Sequence, residues 1–217
     1  MAERTEMIAS SVARAINIIG ERWTLYILRE AFLGSRRYFE WKNRLPISDP
    51  VLSDRLRKLV DARCLSKHPS QTSETHEEYR LTDMGLDLYR VLISLWHWDT
   101  TWNTKRNNST QMIHRICGKA TFPIVACNHC KEPVRPRDVQ FTKGDGARTD
   151  VNSLVRRRRT QKFDPRDIIG NEALTILGDR WSALLVACSF LGIRRFKQLQ
   201  ERISIPPHQL SVRLKEL

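Results

Sequence analysis

The sequence predicts a mainly α, α+β fold: a winged helix-turn-helix unit, a zinc-ribbon-like segment, and a second, partial helix-turn-helix unit. Three observations carry this. Successive stretches before residue 62 place apolar groups at helical spacing, and a strand-like hairpin and a long amphipathic stretch follow them. The run Val12–Leu59 recurs without a gap at Gly170–Leu217, 158 residues on, with about a third of the positions identical. Between the copies lies the spacing H-x2-C-x9-C-x2-C. The domains expected are 11–103 (winged helix-turn-helix), 113–140 (ribbon-like), 141–167 (basic linker) and 168–217 (second helix-turn-helix, without wing or following helix).

In the first unit, "VARAINIIG" puts Val12, Ile16 and Ile19 on one helical stripe closed by Gly20. "RWTLYILREAFLG" reads as a buried helix stopped by Gly34, and "RRYFEWKNRLP" as a short helix with Tyr38, Trp41 and Leu45 on one face, ended before Pro46. A further helix is expected from Asp49 to Ala62, with Ser48 as N-cap and Asp49 in the electropositive first turn. Its inner stripe is Leu52, Leu56 and Leu59, and its opposite face is Ser53, Asp54, Arg55, Arg57 and Lys58. "CLSKHPSQTSETHEEYRLT" reads as a hairpin with an exposed polar tip. Thr82 then caps one long helix to Trp102, with Leu86, Leu88, Leu92, Leu95 and Trp96 on its apolar face.

That order is a winged helix-turn-helix layout, in which one helix is held so that its outer side chains reach base edges in a major groove. The bulk properties agree. The 37 Lys and Arg against 24 Asp and Glu give a net charge of +13, which favours polyanionic partners. No run of about 18 apolar residues predicts a spanning helix, and "MAERTEMIASS" lacks an apolar signal-peptide region. The expectation is a cytoplasmic, nucleoid-associated protein with no membrane partner. No carboxylate pair, nucleophile with base, or phosphate loop points to an enzyme.

The combination G-x-R-W-[TS], L-G-x-R-R-[FY], I-S…L-S-x-R-L-x-x-L and E-Y-x-L-T-x-x-G resembles the HxlR-type family of bacterial transcriptional regulators over about residues 11–102. The second copy resembles the first half of the same domain. The resemblance implies a winged helix fold, double-stranded DNA as partner, and control of nearby genes, here as a repressor. It also implies a homodimer formed through the first helix and the Thr82–Trp102 helix. It places the recognition helix near Asp49 to Ala62, with base contacts drawn from Pro50, Val51, Ser53, Asp54, Arg55 and Arg57, and with Ser48 and Lys58 among the further DNA-binding residues. Arg36, Arg37, Lys42, Lys67 and His68 would hold phosphates. Arg55 and Arg57 are the expected specificity residues and Arg37 the main contributor to affinity. In the second copy the corresponding, weaker set is Arg194, Arg195, His208, Gln209, Ser211 and Arg213. Where sensing members carry a cysteine before the first helix, this sequence has Ser10 and Ser11. Cys64 reads as a small buried hydrophobe.

His114, Cys117, Cys127 and Cys130 form two ligand pairs suited to structural Zn2+ in tetrahedral geometry, with His129 as the alternative fourth ligand. Residues 113–140 carry too few apolar groups for a core of their own, and structural zinc can contribute about 10–16 kcal/mol of apparent folding energy. Arg156 to Arg159 make the linker a basic arm. Trp23, Trp41, Trp96 and Trp98 are expected in core and dimer packing, leaving room for a small-molecule effector near the dimer helices. The alternative function is a zinc-ribbon RNA-binding or assembly protein using the helical units as adaptors.

Overall fold

The computed structural model describes residues 14–70, 73–102, 111–135, 137–140 and 178–217. Residues 14–19 are helical (α1), followed by α2 (Arg22–Phe32), α3 (Tyr38–Arg44) and α4 (Asp49–Asp61). Helix α2 buries Leu25, Tyr26, Ile27 and Leu28 in succession, because it runs through the middle of the unit with α4 and the later helix over Tyr89–Trp102 against it. Gly34 ends it at φ +99°, a conformation that costs glycine little and other residues more. Trp41 of α3 is fully buried, and its indole Nε1 donates to the carbonyl of Ile27 at 3.0 Å, so the polar handle is satisfied inside the core. The expected stripe Leu52, Leu56 and Leu59 closes the core from α4. Ser48 stands at the N-cap with extended backbone, but its side chain makes no capping bond; Pro50 in the first turn has no N–H to satisfy.

Strands β1 (Leu65–Ser70) and β2 (Ser73–Leu81) pair antiparallel, with Leu65 opposite Leu81 and Lys67 opposite Tyr79. The turn before α3 joins this wing, since Tyr79 N–H donates to Arg36 O at 2.7 Å. Thr82 caps the next helix as expected, accepting from Gly85 N–H at 3.1 Å. The single long helix expected after Thr82 is instead two, α5 (Asp83–Asp87) and α6 (Tyr89–Trp102). At the break, Leu88 N–H donates to Gly85 O and Val91 N–H to Leu88 O, three-residue closures that tighten and re-aim the chain. Leu88, Leu92 and Leu95 then pack on the core, while Leu86, expected there, is exposed.

A small hairpin of β3 (Met112–His114) and β4 (Lys119–Thr121) comes next, tied to α6 by His97 stacking on Phe122 at 5.0 Å. The last described region holds α7 (Arg180–Phe190), α8 (Phe196–Ile203) and α9 (Pro207–Glu216) around a second core of Leu184, Leu185, Cys188, Leu199, Ile203, Ile205 and Leu210. Helix α1 departs from its expected single stripe: Ile19 packs on the first core and Ile16 on the second. Val12 and the basic linker 141–167 with Arg156–Arg159 lie outside the described residues. No helix among the described residues is long and apolar enough to cross a membrane.

Candidate nucleic-acid interface

Helices α3 and α4, with the wing beside them, form the surface to which the sequence assigned DNA contacts. Burial of Leu52, Leu56 and Leu59 fixes the roll of α4, and that roll leaves Asp49, Pro50, Ser53 and Arg57 outside, one stripe at helical spacing. Val51, Asp54 and Lys58 flank it, partly buried. The head of the stripe is braced by α3: Tyr38 Oη donates to Asp49 Oδ1 at 2.9 Å and accepts from Ser53 Oγ at 3.3 Å. Lys42 pairs with Asp49 at 3.1 Å and donates to Ile47 O at 2.8 Å, locking the turn between α3 and α4. Lys42 and Tyr38 together hold the Asp49 carboxyl below the usual carboxylate range.

The expectation for Arg55 is corrected. Arg55 is 6% exposed, turned inward from the outer face of α4, with its guanidinium paired to Glu21 at the head of α2 and to Asp54 at 3.0 Å. It pins α4 to the helix behind it and does not stand on the exposed stripe of α4. Asp54 gathers Arg55, Arg57 at 2.8 Å, and Lys58. Burial alone would raise its carboxyl; the hydrogen bond from Lys58 and the charges around it outweigh this and hold it low. Of the two arginines expected to read bases, only Arg57 stands on the exposed stripe.

Arg37, though partly exposed, is also paired within the protein. Its guanidinium meets buried Glu78 of β2 at 3.1 Å, and the two residues form an isolated antiparallel bridge. Glu78 also accepts from Ser70 and from Arg80, and these donors, Arg37 first, keep its carboxyl below the ordinary range. Arg37 therefore holds the wing onto the helix-turn-helix. Arg36, Lys67 and His68 are exposed; Lys67 pairs with Glu77 at 2.5 Å, and His68 contacts Ser66 Oγ at 2.9 Å. Exposed pairs such as Lys67–Glu77 contribute little to stability. The bracing residues of the candidate site that were missed from sequence are Tyr38, Glu21 and Glu78. The signal for Glu21 was present, since an acid recurs at Asp179 in the second copy.

In the C-terminal helices, Arg194, Arg195, His208 and Ser211 are exposed, with His208 and Gln209 in contact at 2.9 Å. Arg213, like Arg55, is partly withdrawn, pairing with Asp179 at 2.8 Å. The expected metal ligands come together as two separate pairs. His114 Nδ1 lies 3.3 Å from Cys117 Sγ, at the turn joining β3 and β4. Cys127 and Cys130 meet across their own turn, where backbone N–H groups of Cys130 and His129 draw the Cys127 thiol down from its ordinary value. Among the described residues no three His, Cys, Asp or Glu side chains converge on one point. Cys64 is buried, and burial pushes its thiol up.

The HxlR-like helix-turn-helix family model matches residues 18–107 and 176–217. An uncharacterized HTH-type transcriptional regulator of Mycobacterium tuberculosis H37Rv, Rv3095, is 37% identical over 144 residues, covering 66% of this chain and 91% of the relative. YvaP of Bacillus subtilis 168, also an uncharacterized HTH-type transcriptional regulator, is 32% identical over 90 residues, 41% of this chain and 83% of YvaP. Among solved structures, that of PA1607, a candidate transcription factor, is similar with a TM-score of 0.54 and 28% identity, covering 60% of this chain and 92% of that one. With a family match over more than half its length, the chain belongs to the HxlR-like helix-turn-helix family.

Proposed function

We propose that this chain is a sequence-specific transcriptional regulator of double-stranded DNA, acting as a repressor, that docks α4 in the major groove. The observation that carries this reading is the exposed stripe Pro50, Ser53 and Arg57 on a helix whose roll is fixed by core leucines and whose head is braced by Tyr38. A helix held this firmly keeps each outer side chain at a fixed place relative to the groove, which reading base edges requires. The charge of +13 supplies non-specific attraction. The family is one of regulators, not of enzymes. Exposed Tyr89, Val91, Trp98 and Trp102 on α6 support a homodimer formed through that helix.

Residues 178–217 act in this proposal as a second helix-turn-helix unit. The support is correspondence of position: Leu45, Ile47 and Leu52 are buried, and so are their counterparts Ile203, Ile205 and Leu210. Gly34 and its counterpart Gly192 both end their helices at positive φ. The His114, Cys117, Cys127 and Cys130 donors suit structural Zn2+ in kind and in pair spacing, and a bound ion would draw the two pairs into one tetrahedral set. Metal analysis of the purified chain is expected to find one zinc per chain, lost in Cys127→Ser/Cys130→Ser; a metal-free wild-type chain with the same fold would remove the zinc proposal.

The test of the main reading is binding to a DNA fragment from upstream of the chain's own gene, titrated against random DNA across a range of salt. The expected result is a preference for the upstream fragment that survives rising salt, and that Arg57→Ala reduces by about 5- to 150-fold, the worth of a good base contact of about 1–3 kcal/mol. Equal, steeply salt-dependent affinity for both fragments would refute it.

A further inference from the structure

We infer that the second helical unit is docked onto the first as an in-chain counterpart of a second subunit, around a local pseudo-two-fold axis passing between Glu21 and Asp179. The inference rests on reading residues 178–217 as a second helix-turn-helix unit. Glu21 and Asp179 stand at equivalent places in the two copies, 158 residues apart, and they form an isolated antiparallel bridge with each other. Arg22 N–H donates to Gly178 O at 3.0 Å beside that bridge. A residue facing its own equivalent across an antiparallel bridge is the signature of a two-fold axis, since such an axis brings each patch against the same patch of its mate.

The surroundings repeat on both sides. Each acid of the bridge also holds the arginine of its own unit's last helix-turn-helix helix: Glu21 takes Arg55 of α4, and Asp179 takes Arg213 of α9 at 2.8 Å. Arg55 and Arg213 are again 158 residues apart. Helix α1 completes the contact, because Ile16 packs on the second core together with Trp181 while Ile19 packs on the first. The face of α1 at Ile16 is thus occupied within the chain, which leaves α6 to carry association between chains. Because both arginine clamps end on the same bridge, the junction fixes the orientation of α4 relative to α9. The two helices do not present the same surface: Pro50, Val51, Asp54 and Lys58 correspond to His208, Gln209, Val212 and Glu216. One chain would therefore offer DNA two unequal helix faces at a fixed spacing.

The experiment is a cross-link in the full chain. The flanking position of the Arg22–Gly178 hydrogen bond makes Glu21 and Asp179 a non-hydrogen-bonded pair, whose Cα atoms lie about 4.5 Å apart, within disulfide reach. Glu21→Cys/Asp179→Cys, oxidised at low concentration, is expected to give a linked 21–179 peptide by mass spectrometry in a species of single-chain mass, reversed by reductant. Linkage found only between chains, or none in a folded variant, would overturn the inference. Because the cysteines remove both clamps, the wild-type chain supplies the second measurement: a cross-strand Hα–Hα nuclear Overhauser effect between Glu21 and Asp179, retained within labelled chains diluted by unlabelled ones. Its absence while both units are folded would also overturn the inference. DNA binding is read separately, so a lost junction with intact upstream-fragment preference is distinguishable from failure of the regulator reading.

Discussion

Replacing Glu21 by Ala should destabilise the first unit through a residue that lies in α4. Arg55 has a side chain only 8% exposed, and Glu21 is one of its two acidic partners. The other, Asp54 at 3.0 Å, is already shared with Arg57 and Lys58. Losing a hydrogen bond to a charged group costs about 1.5–3 kcal/mol, and stranding a fully buried charge about 3–5 kcal/mol. The Glu21 side chain is 25% exposed, so water screens part of the pair, and we expect about 2 kcal/mol. With a urea slope of about 2 kcal/mol/M, the midpoint of the first unit, monitored by the near-ultraviolet signal of buried Trp41, should fall by about 1 M. Adding Arg55→Met removes the stranded charge and keeps the stem volume, so the double variant should recover at least half of the loss. A single variant within about 0.5 kcal/mol of wild type, or a double variant whose losses simply add, would refute the account of Arg55 as a buried clamp.

Three further outcomes are expected from the same geometry. The folded-state carboxyls of Asp54 and Glu78 are depressed, so the stability they contribute is fully present above the unfolded carboxylate value of about 4 and is lost as pH falls through their folded values. Glu78→Gln should flatten that acid limb in urea melts between about pH 5 and 2; a curve parallel to wild type would contradict it. Gly85→Ala should lower the melting temperature, at a cost of about 1–3 kcal/mol, because a Cβ there collides with the carbonyl oxygen of Cys64. An unchanged melt would mean that α5 does not press on the start of β1 as described. Leu56→Ala should cost about 2–5 kcal/mol, whereas Leu214→Ala, at the equivalent place but 43% exposed, should stay within about 0.5 kcal/mol. Equal losses would mean that a partner covers α9 in solution.

Much of the helical framework was legible because periodicity and punctuation agree in this chain. Gly34, Pro46 and Thr82 mark boundaries that the structure keeps, and the Leu52, Leu56 and Leu59 stripe fixed which side of α4 is inside. Periodicity failed where it carried a pattern through a bend. The apolar positions after Thr82 fit one long helix, but Gly85 has to pass over Cys64, and the chain re-aims at Leu88. It failed again in α1, where Ile16 and Ile19 share a stripe in sequence yet serve two different cores.

For the candidate interface, sequence alone picked out the helix proposed to face DNA, the pool of polar residues on it, and the family that the motifs resemble. Only tertiary structure decided which members of that pool are presented. A helical wheel places Arg55 beside Arg57 on the polar side, and its long stem lets the guanidinium reach either way. Glu21, thirty-four positions earlier, is the acid that draws it inward. Arg37 finds its acid in the same manner at Glu78, forty-one positions later, while its side chain stays partly exposed. Local periodicity reports the direction in which a Cα–Cβ bond leaves the backbone, and it is blind to where a flexible charged side chain finds its partner. That choice is electrostatic and long-range in sequence, so it exists only once the chain has folded.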